Sequence, residues 1–486
     1  MIRAYSVEDV RAAESAAMEG LADGELMQRA ATGLAGVARA RLEERDSDAV
    51  VVLAGSGDNG GDALYAGALL AEAGHPVVVV LVGSRAHEAA LAAARDAGAI
   101  VLEWRDGAAP GEVRTALGEA DLILDGVTGI GGRPGLPDHL AALPDLVSDD
   151  AYVIAVDLPS GADPAGLVAS DAVYADETVT FGLTKPVHLM PPTEPATGLL
   201  TVVDIGVPEP SSPAVERLTY EDVARLWPVP TPTDDKYSRG VLGVVAGGEQ
   251  YTGAPVMNVT AAVTAGVGMV RYVGPRRPTD LLRSLVPECV FGEGRVQAWA
   301  IGSGLDAENA DDDQLRVVRE ALESDLPVLL DAGGLDLLEE SRSAPTLLTP
   351  HAGELLRLAR RLELGDLPDD AVRRAPVEIA RRVADHLDVT VLLKGAVTAV
   401  VPPSSAGLPV RTQSDAPAWL ATAGSGDVLA GLAGALLASG LSPLDAGSVA
   451  ALVHGVAADD ANPGGPVRAM DVAHQLGRTV ARLLRR

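Results

Sequence analysis

Thr422-Ala-Gly-Ser-Gly-Asp-Val-Leu-Ala-Gly-Leu-Ala-Gly-Ala-Leu-Leu-Ala-Ser-Gly440 joins a turn of small residues to an apolar, helix-compatible run from Val428 to Ser439. A helix that starts there offers unpaired N–H groups and the positive end of its dipole, a seat for a phosphate. Asp427 stands at the lip of that seat, where a carboxylate is electrostatically awkward. Two readings fit the local turn. Asp427 takes a proton from a hydroxyl about to attack phosphorus, or it caps the helix.

At 486 residues the chain has room for roughly two to four domains. Its residues are 47% hydrophobic but only 3% aromatic, so the cores must be built from Ala, Val and Leu. With 53 glycines this composition suits α/β layers with many strand-to-helix turns. A formal net charge of −30 repels nucleic-acid backbones and anionic lipid, so neither partner is expected. The lone Cys289 permits no intrachain disulfide and fits a reducing compartment. The N-terminal residues carry charges with no apolar core behind them, and no uncharged apolar run is long enough to span a bilayer. A cytoplasmic location is expected.

Val7 to Leu42 is Ala-rich and expected to be largely helical. Ala49-Val-Val-Val-Leu-Ala54 then has the apolar run of a buried parallel strand and feeds into Gly55-Ser-Gly-Asp-Asn-Gly-Gly-Asp62. Strand, glycine turn and helix is an arrangement that holds phosphate or dinucleotide at a sheet's carboxyl edge. The two carboxylates and Asn59 in this turn suit a hydroxyl-rich ligand or a cation better than a bare pyrophosphate, unless they only cap backbone. Further strands are expected at Val77–Val82, Ala99–Trp104, Asp121–Asp125 and Tyr152–Asp157. Asn59 with Asp62, then Asp125, then Asp157 with Ser160, would thus reach one edge of a doubly wound sheet, where oxygen ligands could also hold a hard cation.

The Pro-rich stretches at 208–213 and 227–235 read as a boundary, giving domains over 1–210 and 228–486 with a linker over 211–227. Beyond it, Gly240–Gly248, Ala298–Gly304, Leu326–Asp331, Leu347–Glu354 and Thr390–Gly395 each run from apolar strand into a polar or glycine turn, with a small-residue helix after Tyr251-Thr-Gly-Ala-Pro255. Lys394 closes an apolar strand, where it is either a surface charge or a phosphate partner, and Thr398–Val401 is expected to pair back on that strand. His351 alone has the look of a polar turn residue, and His454 of a structural one.

Gly57-Asp-Asn-Gly-Gly-Asp62, Asp125 with its glycine loop, Val156-Asp-Leu-Pro-Ser-Gly161 and Lys185-Pro186 resemble the NAD(P)HX epimerase family over about residues 1–210. That resemblance implies a Rossmann-like fold and inversion of a hydrated, damaged nicotinamide ring with K+ bound. It places Asn59, Asp125 and Ser160 at the K+ and Asp157 as acid/base. Asp58, Asn59, Gly60, Gly61 and Asp62, with Gly129, Ile130, Gly131, Gly132, Arg133, Pro134 and Gly135, would line the substrate. Asp58 departs from the Asn usual in that turn.

The second half is similar to the ribokinase-like superfamily and, through Thr349-Pro-His-Ala-Gly-Glu354, Leu393-Lys-Gly395 and the opening stretch, to the ADP-dependent NAD(P)HX dehydratase within it. The resemblance implies Asp427 as catalytic base. It implies that Lys394, Gly395, Ala396, Val397, Thr398 and Gly426 hold an adenine nucleotide, ADP with Mg2+, and that Ala254, Gly304 and His351 contact the hydrated dinucleotide. Ala423 replaces a usual Gly, and Trp419 either narrows the pocket or fills core. The implied whole is two three-layer α/β/α domains in a homo-oligomeric repair enzyme for NAD(P)HX. The alternative is a ribokinase-like vitamin or sugar kinase fused to a non-catalytic Rossmann-like module.

Overall fold

The computed structural model describes residues 1–306 and 310–485. The chain forms two compact units, Arg3–Val215 and Glu216–Arg486, the latter also holding Met1 and Ile2.

In the N-terminal unit, seven strands form one parallel sheet: β1 (Val50–Ala54), β2 (Val77–Leu81), β3 (Ile100–Glu103), β4 (Leu122–Gly126), β5 (Tyr152–Val156), β6 (Glu177–Phe181) and β7 (Leu199–Val203). Their spatial order is β3-β2-β1-β4-β5-β6-β7. The central strands are Val, Ile and Leu runs because both faces are covered. One face carries a core with Leu34, Leu42, Leu64 and Leu70, the other a core with Trp104, Val113, Leu117 and Leu140. Strand order reverses between β1 and β4, the crevice where open α/β sheets bind ligands. The start, expected to be largely helical over Val7 to Leu42, forms two helices, α1 (Val7–Met18) and α2 (Glu25–Arg45). Gly24, with φ of 73°, takes the left-handed turn between them. Helix α3 (Asp58–Glu72) follows β1 directly.

The larger unit repeats the plan with strands β8 (Val241–Val245), β9 (Met269–Val273), β10 (Val290–Phe291), β11 (Ala298–Ile301), β12 (Val328–Leu330), β13 (Thr346–Leu348), β14 (Thr390–Leu393), β15 (Thr398–Val401) and β16 (Val410–Gln413). Within its sheet these run β16-β15-β14-β13-β12-β11-β8-β9-β10. The pairings are parallel except β14 with β15 and β15 with β16, so the expected hairpin after Lys394 is present. The other chief helices are α4 (Gly253–Thr264), α5 (Ala352–Arg361), α6 (Ser425–Ala438), α7 (Pro443–Ala461) and α8 (Ala469–Leu483). Helix α6 is apolar all round and buried from Val428 to Ala438, as such a helix must be. Each of its buried leucines contributes roughly 1.5–3 kcal/mol.

Its glycines set the packing distance. A Cβ at Gly431 would lie 2.1 Å from the Asn258 carbonyl oxygen on α4, and one at Gly434 3.0 Å from Ala300 on β11. The segment read as a linker is different in its second half: Tyr220–Leu226 is helical, Val223 is fully buried and Trp227 belongs to the core, so the second unit begins at Glu216. Proline density marked the boundary region but missed apolar residues that a core can use.

Candidate functional site

Each unit gathers polar side chains at the carboxyl edge of its sheet. In the N-terminal unit a cavity of about 690 Å³ opens there. Asp58, Asn59 and Asp62 of α3, the loop Thr128–Gly132 and Asp157 line it, with Arg11 and Glu14 from α1. Asn59 is buried and donates through Nδ2 to the carbonyls of Thr128 (2.8 Å) and Val156 (2.6 Å). It thereby ties the turns after β4 and β5 to α3. Asp125, 0% exposed, accepts from the Ser160 hydroxyl (2.6 Å) and backbone N–H (2.9 Å), and Ser160 accepts from Thr128 N–H at 3.0 Å. Burial pushes Asp125 up against these hydrogen bonds from neutral donors.

Asp125 and Ser160 therefore meet as expected, but behind the lining rather than in it. Gly60 and Gly61 also stand back: a Cβ at Gly60 would lie 2.3 Å from the Gly55 carbonyl oxygen, and Gly61 packs on Met27. Arg133, Pro134 and Gly135, expected to line the substrate, fall outside the lining because Gly135 N–H donates to the Gly161 carbonyl at 2.7 Å and draws the loop toward that turn.

Asp157 holds a left-handed backbone, φ 67°, uncommon outside glycine. Its carboxylate accepts from the buried Lys185 ammonium and from the Thr180 hydroxyl at 2.9 Å, and Lys185 also donates to Thr180 at 2.8 Å. Burial alone would raise Asp157, but Lys185, then His188 and Thr180, outweigh it and hold the carboxyl below its ordinary value. His188 is buried and pushed down to about 4 by burial and by Lys185. Neutral, it accepts the Lys185 backbone N–H on Nδ1 (3.1 Å) and donates from Nε2 to the Asp157 carbonyl (2.8 Å). Asp62 and Glu14 go the other way. Burial, then the charges of Asp157, Asp58 and Glu14, push Asp62 well up, and burial raises Glu14.

In the larger unit, consecutive parallel strands deliver Ser303 after β11, Asp331 after β12, Thr349 and His351 after β13, and Lys394 after β14. Lys394 donates to Asp331 at 2.8 Å and lies 3.6 Å from Glu354. Asp331 also accepts from Thr349 (3.0 Å) and Ser303 (3.1 Å), and Asn258 donates to Ser303 at 3.3 Å. The first turn of α6 meets this cluster: a Cβ at Gly426 would lie 3.4 Å from Lys394 Nζ.

Asp427 is half-buried in the same turn. Burial and the Asp331 charge push it up to about 6, against the pull of the Ser303 hydroxyl and Lys394. The N-cap of α6 is Gly424, φ 91°, which removes the reading of Asp427 as the cap. His351 is the true cap of its own helix, its Nδ1 accepting from Gly353 N–H (3.0 Å) and Glu354 N–H (3.3 Å). It also bridges to Lys394 through the backbone.

Gly304, φ 64°, faces Ala254 so closely that a Cβ would come within 2.6 Å of the alanine's own. Gly395 and Ala396 form the exposed tip of the hairpin, Val397 is buried, and Thr398 donates to the Gly395 carbonyl at 3.3 Å. Trp419 is 52% exposed and donates to the Gly464 carbonyl at 3.3 Å, so it fills no core. His454 is buried inside α7.

Sequence reasoning passed over Glu14, Thr180 and His188 in the first site and Asn258 in the second, and it gave Ser303, Asp331 and Thr349 no role of their own. Asp331 carried the same signal as Asp125, an acid closing an apolar strand. Glu14 carried only its spacing, three residues after Arg11 on one helix face.

Two doubly wound α/β units, each with an aspartate and a lysine at its sheet's carboxyl edge, define a two-site α/β enzyme. The family model described as NAD(P)H-hydrate dehydratase matches residues 242–481, and that of the YjeF-related protein N-terminus matches residues 23–187. The bifunctional NAD(P)H-hydrate repair enzyme Nnr of Mycobacterium leprae is 43% identical over 481 residues, 95% of this chain and 94% of that protein. The protein of the same name from Corynebacterium glutamicum is 34% identical, covering 91% and 88%. Among solved structures, the ADP/ATP-dependent NAD(P)H-hydrate dehydratase from Bacillus subtilis, co-crystallized with ATP/Mg2+, is 25% identical with a TM-score of 0.50, covering 55% of this chain and 99% of that one. The chain belongs to the family of bifunctional NAD(P)H-hydrate repair enzymes. Among the described residues no helix is long and apolar enough to cross a membrane.

Proposed function

We propose that the N-terminal unit interconverts the R and S forms of NAD(P)HX at Asp157, and that the larger unit dehydrates the S form at Asp427, converting ADP to AMP and phosphate. The hydrated ring carries a hydroxyl, a poor leaving group, on the carbon next to nitrogen. Phosphorylating that hydroxyl makes it a good one. The nitrogen lone pair expels phosphate, and loss of a neighbouring proton restores the double bond.

Asp427 would take the hydroxyl proton. The α6 N-terminus and Lys394, beside Gly426, would stabilise charge on the moving phosphoryl group. Ala254, Gly304 and His351 would contact the dinucleotide, and Lys394 to Thr398 the adenine nucleotide. One observation carries the reading: Asp427 stands in the first turn of α6, outside the apolar core, and is raised to about 6, suited to a base near neutral pH.

Lys185 keeps Asp157 ionised as the acid/base of the other site. Asn59, Asp125 and Ser160 would hold K+. An amide, a carboxylate and a hydroxyl are hard oxygen donors, and the fully buried Asp125, met only by neutral donors, suits a countercharge there. Mg2+ would ride on the nucleotide's phosphates. Among the described residues no group of three or more His, Cys, Asp or Glu is placed to hold a metal without them.

A lone cysteine, Cys289, which can form no intrachain disulfide, fits a cytoplasmic setting. A homo-oligomer is part of the proposal and is tested by light scattering. Mixing the protein with ADP and hydrated NADH should regenerate reduced-nicotinamide absorbance. No regeneration from either epimer would end the proposal. A kinase of the vitamin or sugar type would instead leave a stable phosphorylated product.

A further inference from the structure

The N-terminal cavity holds more acid than one proton-transfer residue requires. Glu14, Asp58, Asp62 and Asp157 all line it, and the ammonium of Lys185 is already engaged by Asp157 and Thr180. Glu14 comes from α1, an element separate from the sheet edge that supplies Asp157. That helix is tied to the glycine loop by Arg11, whose Nη2 donates to the Ile130 carbonyl at 3.5 Å.

Epimerisation of the hydrate needs no redox partner. As the C–O bond breaks, the nitrogen lone pair forms a C=N bond and the departing oxygen takes a proton to leave as water. Water then adds to the opposite face, the C=N electron pair returns to nitrogen, and the entering water gives up a proton. One group must give a proton and another, on the other face, must take one. A lone Asp157 serves one face.

We infer that Glu14 is a second catalytic residue of epimerisation, giving the proton on which the hydroxyl leaves while Asp157 takes the proton of the returning water. The inference rests on the epimerase reading of this unit. Burial raises Glu14 against the pull of Lys185 and Arg11, with Asp157 and Asp58 adding to the rise, while Lys185 holds Asp157 low, so Glu14 takes a proton at higher pH than its neighbour does. Asp62 is also raised but is 9% exposed, whereas half-buried Glu14 can reload from solvent between turnovers.

The test uses the full chain and purified R and S hydrates. Glu14→Gln should lower kcat/KM for epimerisation about 10²–10⁴-fold, leave dehydration of the S hydrate unchanged, and remove the alkaline limb of the epimerisation pH profile. That limb belongs to wild type because a proton donor fails once it ionises. Wild-type epimerisation in Glu14→Gln, or an alkaline limb that survives in it, overturns the inference. Should Glu14→Gln not fold, Glu14→Asp decides: a limb moved toward lower pH supports the donor role, and an unmoved one overturns it. Absence of epimerisation in wild type would remove the reading of the whole unit, which is a different result from wild-type activity that ignores Glu14.

Discussion

Asp157 and Asp427 each stand at the carboxyl edge of a doubly wound sheet with a lysine nearby, yet they are driven in opposite directions. Asp157 has Lys185 largely to itself, with Thr180 completing the pair, and is held low despite its burial. Lys394 is engaged first by Asp331 at 2.8 Å and next by Glu354 at 3.6 Å, so Asp427 feels burial and a like charge more than it feels the cation. Which carboxylate a buried cation engages sets which one keeps its proton. The consequence is chemical. The first site has an aspartate held low, beside two acids, Glu14 and Asp62, that burial raises. The second has an aspartate poised close to neutrality.

The largest expected effects separate the two sites. Asp427→Asn should cost dehydration about 10²–10⁴-fold while epimerisation continues, and Asp157→Asn should do the reverse. Asn tolerates the left-handed backbone at position 157, so lost epimerisation there would not be a backbone effect. A wild-type dehydration rate in Asp427→Asn would break the comparison outright. Lys185→Met should cost about 3–5 kcal/mol in denaturant unfolding, because it leaves Asp157 buried without its countercharge. Lys394→Met should cost less, since Lys394 is 20% exposed and Asp331 keeps its bonds from Ser303 and Thr349. Equal losses would mean that burial, not partner allocation, distinguishes the sites. Gly431→Ala should cost about 1–3 kcal/mol by pushing α6 off the Asn258 carbonyl, visible as a lowered melting temperature.

The chain's α/β character was legible because its central strands are unbroken apolar runs that end in Gly, Asp or Lys. Outer strands hid themselves: the edge strand β7 is half exposed, and β9, one in from its edge, carries Arg271 in its middle. Residues at strand ends or in the first turns of helices, such as Asn59, Asp125, Asp157, Lys394 and Asp427, were singled out from order along the chain. Glu14 and His188 were not, since their meaning comes from charges brought beside them by folding, Asp157 for one lying far from Glu14 in sequence. Charge direction was hidden for the same reason. Nothing in the letters around Asp157 and Asp427 says that one lysine is shared and the other is not.

The smallest effect discriminates most finely. A base works only when ionised, so with Asp427 at about 6, dehydration kcat/KM should fall about tenfold between pH 7 and pH 5. Epimerisation should not fall over that interval, because Asp157 stays ionised below its ordinary range and the proton-donating acids only gain protons. Asp331→Asn then sharpens the argument. It removes the like charge that raises Asp427 and frees Lys394 to face it, and both changes lower the carboxyl, so the acid limb of dehydration should move to lower pH. A limb that stays at about 6 in Asp331→Asn would leave burial alone as the cause, and the contrast between a shared lysine and a dedicated one would lose its basis.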